Sequence, residues 1–235
     1  MKVLNFYNVK GGTGKSSLSY LSGIYLASRG NRVLFIDLDP QCSLTSIFTN
    51  EPKTKTIYNF LADSYPLEEV IFPYSENIDF IPSSLNVFKI QNNVLQNKFE
   101  RSFRKLKNYD YVIIDNSPNY SSLSISSIQG TDLLIIPSQV FRFDYDSLVF
   151  TLMQSREVKE NLSINIILNR VGKAESREEN LFSSSNYLQD CTITRFPNMN
   201  SIRKFILNRD SLQKPKNIKI REGIENFLNP ILSRG

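Results

Sequence analysis

The stretch Val3–Ser17 reads VLNFYNVKGGTGKSS, and its order decides the fold: an apolar run, a glycine-rich turn, then Lys15-Ser16-Ser17 opening a segment of helical character. Glycines between a strand and a helix let backbone N–H groups turn inward around phosphate oxygens, and the helix N-terminus adds its partial positive charge. Gly11, Gly12, Thr13 and Gly14 would form that cradle. Lys15 would then pair with the β- and γ-phosphates, the Ser16 hydroxyl would ligand Mg²⁺, and Ser17 would support the α-phosphate. Two details depart from the general pattern of such loops. Position 9, where a glycine is expected, holds Val9, and a second lysine, Lys10, precedes the glycines.

Outward from this stretch, β-branched runs recur. Val3–Tyr7 is followed by Val33–Ile36, Ile78–Ile81, Tyr111–Ile114, Leu133–Ile136 and Ile164–Leu168. Most are continuously apolar, as strands buried on both faces are. Helix-length segments alternate with them at Ser16–Arg29, Val87–Lys105, Ser121–Gln129, Asp144–Glu157 and Arg177–Leu188. The alternation predicts an α/β fold, a mainly parallel twisted sheet with helices on both faces. The length fits one domain over residues 1–235. The more polar Asn50–Tyr74 reads as a surface insertion with one short helix at Ile57–Asp63.

Ligands of such sheets bind beyond the carboxyl ends of the strands. Two acidic segments fall there, Asp37-Leu38-Asp39-Pro40-Gln41 and Asp115-Asn116-Ser117-Pro118. Carboxylates two residues apart beside a phosphate site suit magnesium and water handling. An aspartate closing an apolar strand is the pattern that holds Mg²⁺ through water.

The chain has no histidine, which excludes Ser-His-Asp, Cys-His and His-metal chemistry. Cys42 and Cys191 are isolated, so neither a CxxC site nor a disulfide framework is indicated. No apolar run reaches the about 18 residues of a membrane span, and the glycine loop starts too early to leave room for a signal peptide, so the expected compartment is the cytoplasm. The net charge of +5 is uneven: from Arg195 onward there are nine Lys/Arg against three Asp/Glu, and before it nineteen against twenty. The basic excess belongs to the C-terminal stretch and points to a polyanionic partner.

The run KGGTGKS, Lys10 to Ser16, resembles the deviant phosphate-loop signature KGGxGK[ST] of the ParA/MinD-type ATPases. The resemblance continues through DLDPQ (37–41), DNSP (115–118), GTDLLIIPSQ (130–139), IILNR (166–170) and TRFPN (194–198), and so spans most of the chain. It implies a P-loop NTPase fold and ATP hydrolysis with ATP and Mg²⁺ as cofactors. It further implies a nucleotide-dependent homodimer in which Lys10 crosses to the phosphates held by the other subunit, neutralising charge on the transferred phosphoryl. By the same resemblance Asp39 orients the attacking water, and Lys10, Lys15 and Asp39 form the catalytic set. Asp37 holds the loop or reaches Mg²⁺ through water, Asp115 holds Mg²⁺, and Asn169 and Pro197 contact adenine. Asn116-Ser117 and Cys42 depart from the usual family residues, Cys42 standing where many relatives have glycine. With the first strand starting almost at Met1, the short form without an N-terminal helix-turn-helix is expected.

Within the family, DNA partition is the leading expectation: a dimer bound to non-specific DNA, nucleoid-associated, released when a centromere-binding partner protein stimulates hydrolysis. Arg195, Arg203, Lys204, Arg209, Lys214, Lys216, Lys219 and Arg221 supply phosphate-pairing charge, with Arg203, Lys204 and Arg221 as the contacts expected on DNA. A MinD-like positioning ATPase on a membrane is the alternative. Ile220, Ile224, Phe227, Leu228, Ile231 and Leu232 recur at helical spacing, but Glu222, Glu225 and Pro230 favour a final helix packed on the core, so a membrane is not expected. An iron–sulfur reductase would need paired cysteines. An ATP-dependent ligase stays open but leaves the basic stretch without a role, and a tyrosine kinase would carry tyrosines after Arg195, where there are none.

Overall fold

The computed structural model describes residues 1–171, 182 and 185–232. Its strands are β1 (Lys2–Phe6), β2 (Val33–Asp37), β3 (Phe72–Ser75), β4 (Ile78–Ile81), β5 (Tyr111–Asp115), β6 (Leu133–Ser138), β7 (Ser163–Val171) and β8 (Thr192–Pro197). They form one sheet in the order β3-β4-β2-β5-β1-β6-β7-β8. Pairing is parallel throughout except between β3 and β4. The helices are α1 (Lys15–Ser28), α2 (Thr45–Phe48), α3 (Ile57–Leu61), α4 (Lys98–Phe103), α5 (Ser122–Gln129), α6 (Arg142–Val158), α7 (Ser201–Leu207) and α8 (Ile218–Leu232).

Strand alternation divides the core between the two sheet faces. Leu4, Phe6, Phe35 and Ile113 pack with α1, α7 and α8 on one face. On the other, Val3, Leu34, Ile36, Val112 and Ile114 meet α3, α4 and α5, and Leu134, Ile136, Ile166 and Leu168 meet α6. The expected layering of helices on both faces is therefore present. The final helix packs as its sequence predicts: Ile220, Ile224, Phe227 and Leu228 are all buried.

Three expectations are corrected. The helix expected over Val87–Lys105 is a 3₁₀ turn at Leu85–Lys89, an irregular stretch, and the short α4. Its Gln91 and Asn92 carbonyls accept from the Leu123 N–H and the Ser122 hydroxyl, so these two serve the start of α5 instead of a continuing helix. The stretch Asn50–Tyr74 is more than a surface insertion. Ile57, Phe60, Leu61, Leu67 and Val70 are buried within it, and β3 closes the sheet edge. Thr192–Pro197, absent from the expected strands, is β8, which pairs with a β7 longer than expected. Most of Arg177–Leu188 lies outside the described residues, and its end is a 3₁₀ turn at Asn186–Leu188.

Gly23 shows how closely α1 sits on the sheet: a Cβ there would come within 2.0 Å of the Phe35 ring. Phe35 is itself pinned, its centroid 4.9 Å from that of Phe48. Gly23→Ala is expected to lower stability by about 1–3 kcal/mol through overpacking despite the better helix propensity of alanine, as measured by denaturant unfolding.

Candidate nucleotide site

The site grows from the register of three parallel strands. Phe6, the last residue of β1, lies opposite Asp115 at the end of β5, and Asp115 lies opposite Asp37 at the end of β2. The glycine loop and both acidic segments therefore leave the sheet side by side.

Gly12 and Gly14 turn the loop with φ of 75° and 99°, the left-handed region that glycine enters without cost. Gly14 is needed for space as well, since a Cβ would meet Asn169 Nδ2 at 2.3 Å. That amide donates to the Thr13 carbonyl at 2.7 Å and ties the end of β7 to the loop. On the other side Asn8 Nδ2 donates to the Pro137 carbonyl in β6 at 2.8 Å, and Asn8 Oδ1 accepts from the Lys10 N–H at 2.9 Å. Lys15 is buried at the start of α1 and donates to the carbonyls of Lys10 (3.0 Å) and Asn8 (3.2 Å). Burial lowers its pKa, opposed by the nearby carboxylates of Asp115 and Asp39.

The two strand-end aspartates divide the work. Asp37 Oδ1 accepts from the Asp39 N–H at 3.0 Å, and Oδ2 accepts from the Thr45 N–H and hydroxyl, both at 2.7 Å. Asp37 thus shapes the segment that carries Asp39, whose own Oδ1 caps the Gln41 N–H at 2.9 Å. Cys42 follows with φ of 56°, in the left-handed region that glycine enters more readily than a residue with a side chain.

Asp115 is fully buried, and neither carboxylate oxygen has a partner in hydrogen-bonding geometry. Burial raises its pKa well above the carboxylate range and the Asp37 charge raises it further, with the Ser16 hydroxyl and the Lys15 ammonium offsetting only in part. Two orphaned carboxylate oxygens beside Ser16 fit a divalent cation. Mg²⁺ is an ion that takes one or two protein carboxylates together with substrate phosphates and water. Ser16 and Asp115 are the residues that would hold it, and the ion would neutralise charge on the phosphates.

Beside the loop lies a cleft of about 630 Å³ lined by Gly14, Ser17, Asn169, Phe196, Pro197 and Arg203, among others. The structure thus brings Asn169 and Pro197 together next to the phosphate loop. Arg170, also on this cleft, sits with φ of 60° at a bulge in the β7–β8 pairing.

The residues expected on DNA are dispersed. Lys204 is exposed on α7, whereas Arg203, also exposed, stands on the cleft wall. Arg221 is half-buried with its Nε 4.0 Å from Glu225, and Lys214 and Lys216 both pair with Asp210 at 2.6 Å. Lys10 sits at the rim of the loop, its ammonium paired with Asp144 and 4.0 Å from the centroid of the Phe143 ring. Sequence reasoning missed Asp144, Thr45 and Asn8. Asn8, immediately after the apolar run, carried a positional signal; the other two are marked by no motif.

A family model described as an AAA domain matches residues 1–168. The chain is 30% identical over 179 residues to the sporulation initiation inhibitor protein Soj of Bacillus subtilis, covering 72% of this chain and 71% of Soj. It is 30% identical over 167 residues to a protein named for plasmid partitioning, ParA of Thermus thermophilus, covering 68% of this chain and 52% of that one. The chain is a ParA/MinD-type P-loop ATPase. An ATP complex of McdA from Cyanothece shares the fold with a TM-score of 0.83 at 24% identity, covering 97% of this chain and 96% of McdA.

Burial raises the Asp37 carboxyl from the usual 3.8 to about 7, against the hydrogen bonds it accepts. The folded chain then holds a proton that the unfolded chain has lost, so stability is present at low pH and falls as pH rises from about 4 to about 7. Asp115 acts in the same direction. The expected slope is up to about 1.4 kcal/mol per pH unit for each proton held. Denaturant unfolding across this range should show it, and Asp37→Asn or Asp115→Asn should each flatten it.

Proposed function

We propose that this ATPase works in DNA partition. In this reading residues 1–235 act as one ATPase domain, and two copies enclose Mg²⁺-ATP. The dimer binds duplex DNA without sequence preference, and a centromere-binding partner protein stimulates hydrolysis and release. Lys15 holds the β- and γ-phosphates, Ser16 and Asp115 hold Mg²⁺, Asp39 orients the attacking water, Asn169 and Pro197 frame the base, and Lys10 reaches the phosphates of the opposite copy.

The observation that carries this reading is the double use of α7. Ile202, Arg203 and Ile206 line the cleft beside the phosphate loop, and the exposed Lys204 and Arg209 belong to the same helix and its end. A basic surface built on the wall of the nucleotide cleft gives nucleotide a direct route to DNA affinity. The competing membrane reading loses support because the apolar face of α8 is spent on the core. Exposing its four buried side chains would cost about 1.5–3 kcal/mol each. No described helix is long and apolar enough to cross a membrane.

Binding to a random-sequence duplex, measured across a salt series with ATP, ADP or neither, tests the proposal. Salt-sensitive binding with ATP alone is expected, and Lys204→Ala should reduce the log–log salt slope by about 1. Lys15→Ala should abolish turnover, and Asp39→Ala should slow hydrolysis more than nucleotide binding. Equal DNA binding in all three nucleotide conditions, or none in any, would overturn the partition reading.

A further inference from the structure

From Val87 to Lys107 the chain carries six Lys/Arg and one acidic residue, Glu100, an excess that the near-neutral total before Arg195 conceals. Most of that charge sits on α4 and the turn after it, on the sheet face opposite α1, α7 and α8. Between α4 and the end of α3 lies a groove of about 320 Å³, at the small end of the range of about 300–1,000 Å³ for ligand pockets. Phe60 and Leu67, both buried, form its floor, and Leu95, 65% exposed, stands at its rim. Lys98, Arg101 and Lys105 make one wall at helical spacing, with Asp63 and Glu68 on the side of α3. Lys98 is 8% exposed, and its ammonium donates to the Leu61 carbonyl at 3.1 Å and to the Asp63 carboxylate at 2.5 Å. Asp63 is itself exposed, on a turn with φ of 56°. The wall thus already seats one carboxylate. Arg101 and Lys105 are exposed and have no carboxylate partner among the described residues. Arg101 Nη2 instead meets the Asn97 amide oxygen at 3.0 Å, in the orientation of that amide that satisfies both groups. The wall is also rigid: Phe99 and Phe103 anchor α4 in the core, and a Cβ on Gly130, at the end of α5, would meet the Glu100 backbone nitrogen at 3.2 Å.

We propose that the groove between α3 and α4 docks an acidic peptide segment of a partner protein, with an apolar side chain on the Phe60 and Leu67 floor and its carboxylates on Arg101 and Lys105. Unpaired cations beside an apolar floor match Asp or Glu next to a large apolar residue, and a preformed wall spares the complex the cost of ordering it. Duplex DNA would leave the floor unused and would set its phosphates against Asp63 and Glu68. A lipid surface does not fill a concave groove. The site stands on the sheet face opposite the basic residues after Arg195, so a docked peptide leaves those residues free.

The test pans a random-peptide display library on the full chain, then measures the best enriched sequence as a fluorescent synthetic peptide by anisotropy. Wild type, Arg101→Glu, Lys105→Glu and Arg29→Glu are compared, the last removing the same charge from the exposed end of α1. Enriched sequences should place Asp or Glu beside Leu, Ile or Phe. Their affinity should fall about tenfold or more in Arg101→Glu and in Lys105→Glu and stay near wild type in Arg29→Glu. Both groove side chains are exposed, so the denaturant midpoint and ATP turnover of these variants should match wild type, which separates lost docking from lost fold. Enrichment of basic sequences or of none overturns the proposal. So does acidic-peptide binding that survives both groove variants, or that weakens equally in Arg29→Glu. Phosphatidylserine vesicles and a random duplex are the remaining probes: binding of either that is lost in the groove variants, with no acidic peptide enriched, assigns the surface to lipid or DNA and overturns the peptide site.

Discussion

Parallel pairing of β1, β5 and β2 in register is the constraint on which the rest of the molecule depends. It delivers the glycine loop, Asp115 and Asp37 to one edge of the sheet, and it does so by burying Asp115 completely. A buried carboxylate without a hydrogen-bond partner costs several kcal/mol, and the Ser16 hydroxyl and the Lys15 ammonium offset that cost only in part. The apolar packing on both faces of the sheet has to supply it. Stability is thus spent to keep two oxygens open at the place where a divalent cation and phosphate charge would meet them.

Polar side chains then locate the loop. Asn8 fastens it to β6, Asn169 fastens it to β7, and Thr151 fastens it to α6. Each bond joins an amide or hydroxyl to a neighbour far away in sequence, so the loop's position is set by the sheet order and not by its own turn preferences. The requirement for glycine at position 14 follows from the same arrangement, because Asn169 occupies the space a side chain would need.

The order of strands and helices was legible because buried parallel strands are continuous apolar runs, and the site was legible because phosphate and magnesium chemistry fixes residue types at fixed spacing. Legibility failed where a segment's conformation is decided by distant partners. The stretch after Leu85 has helical composition, but its Gln91 and Asn92 carbonyls are claimed by Leu123 and Ser122 at the start of α5. Within Asn50–Tyr74 the helical spacing of Ile57, Phe60 and Leu61 was legible, but nothing in the local sequence shows that these residues and Leu67 and Val70 fill a core. Charge counting is blind to pairing for a related reason. Nine basic residues from Arg195 onward suggest a continuous cationic surface, yet Asp210 alone takes up Lys214 and Lys216.

The two lysines of the loop illustrate how position, not residue type, assigns a task. Lys15 is enclosed by the carbonyls of Asn8 and Lys10, and burial presses it toward losing its proton while Asp115 and Asp39 hold it charged. Its charge is therefore already committed inside its own subunit. Lys10 stands at the rim with about a quarter of its side chain exposed, and its charge is balanced by a single carboxylate across a short gap. Moving an ammonium from one carboxylate to a polyphosphate exchanges one anionic partner for a more highly charged one and leaves the loop backbone in place. Moving Lys15 would strip two carbonyls and unbalance two carboxylates. Of the two cations, only Lys10 can respond to a second subunit without dismantling the site that binds the nucleotide.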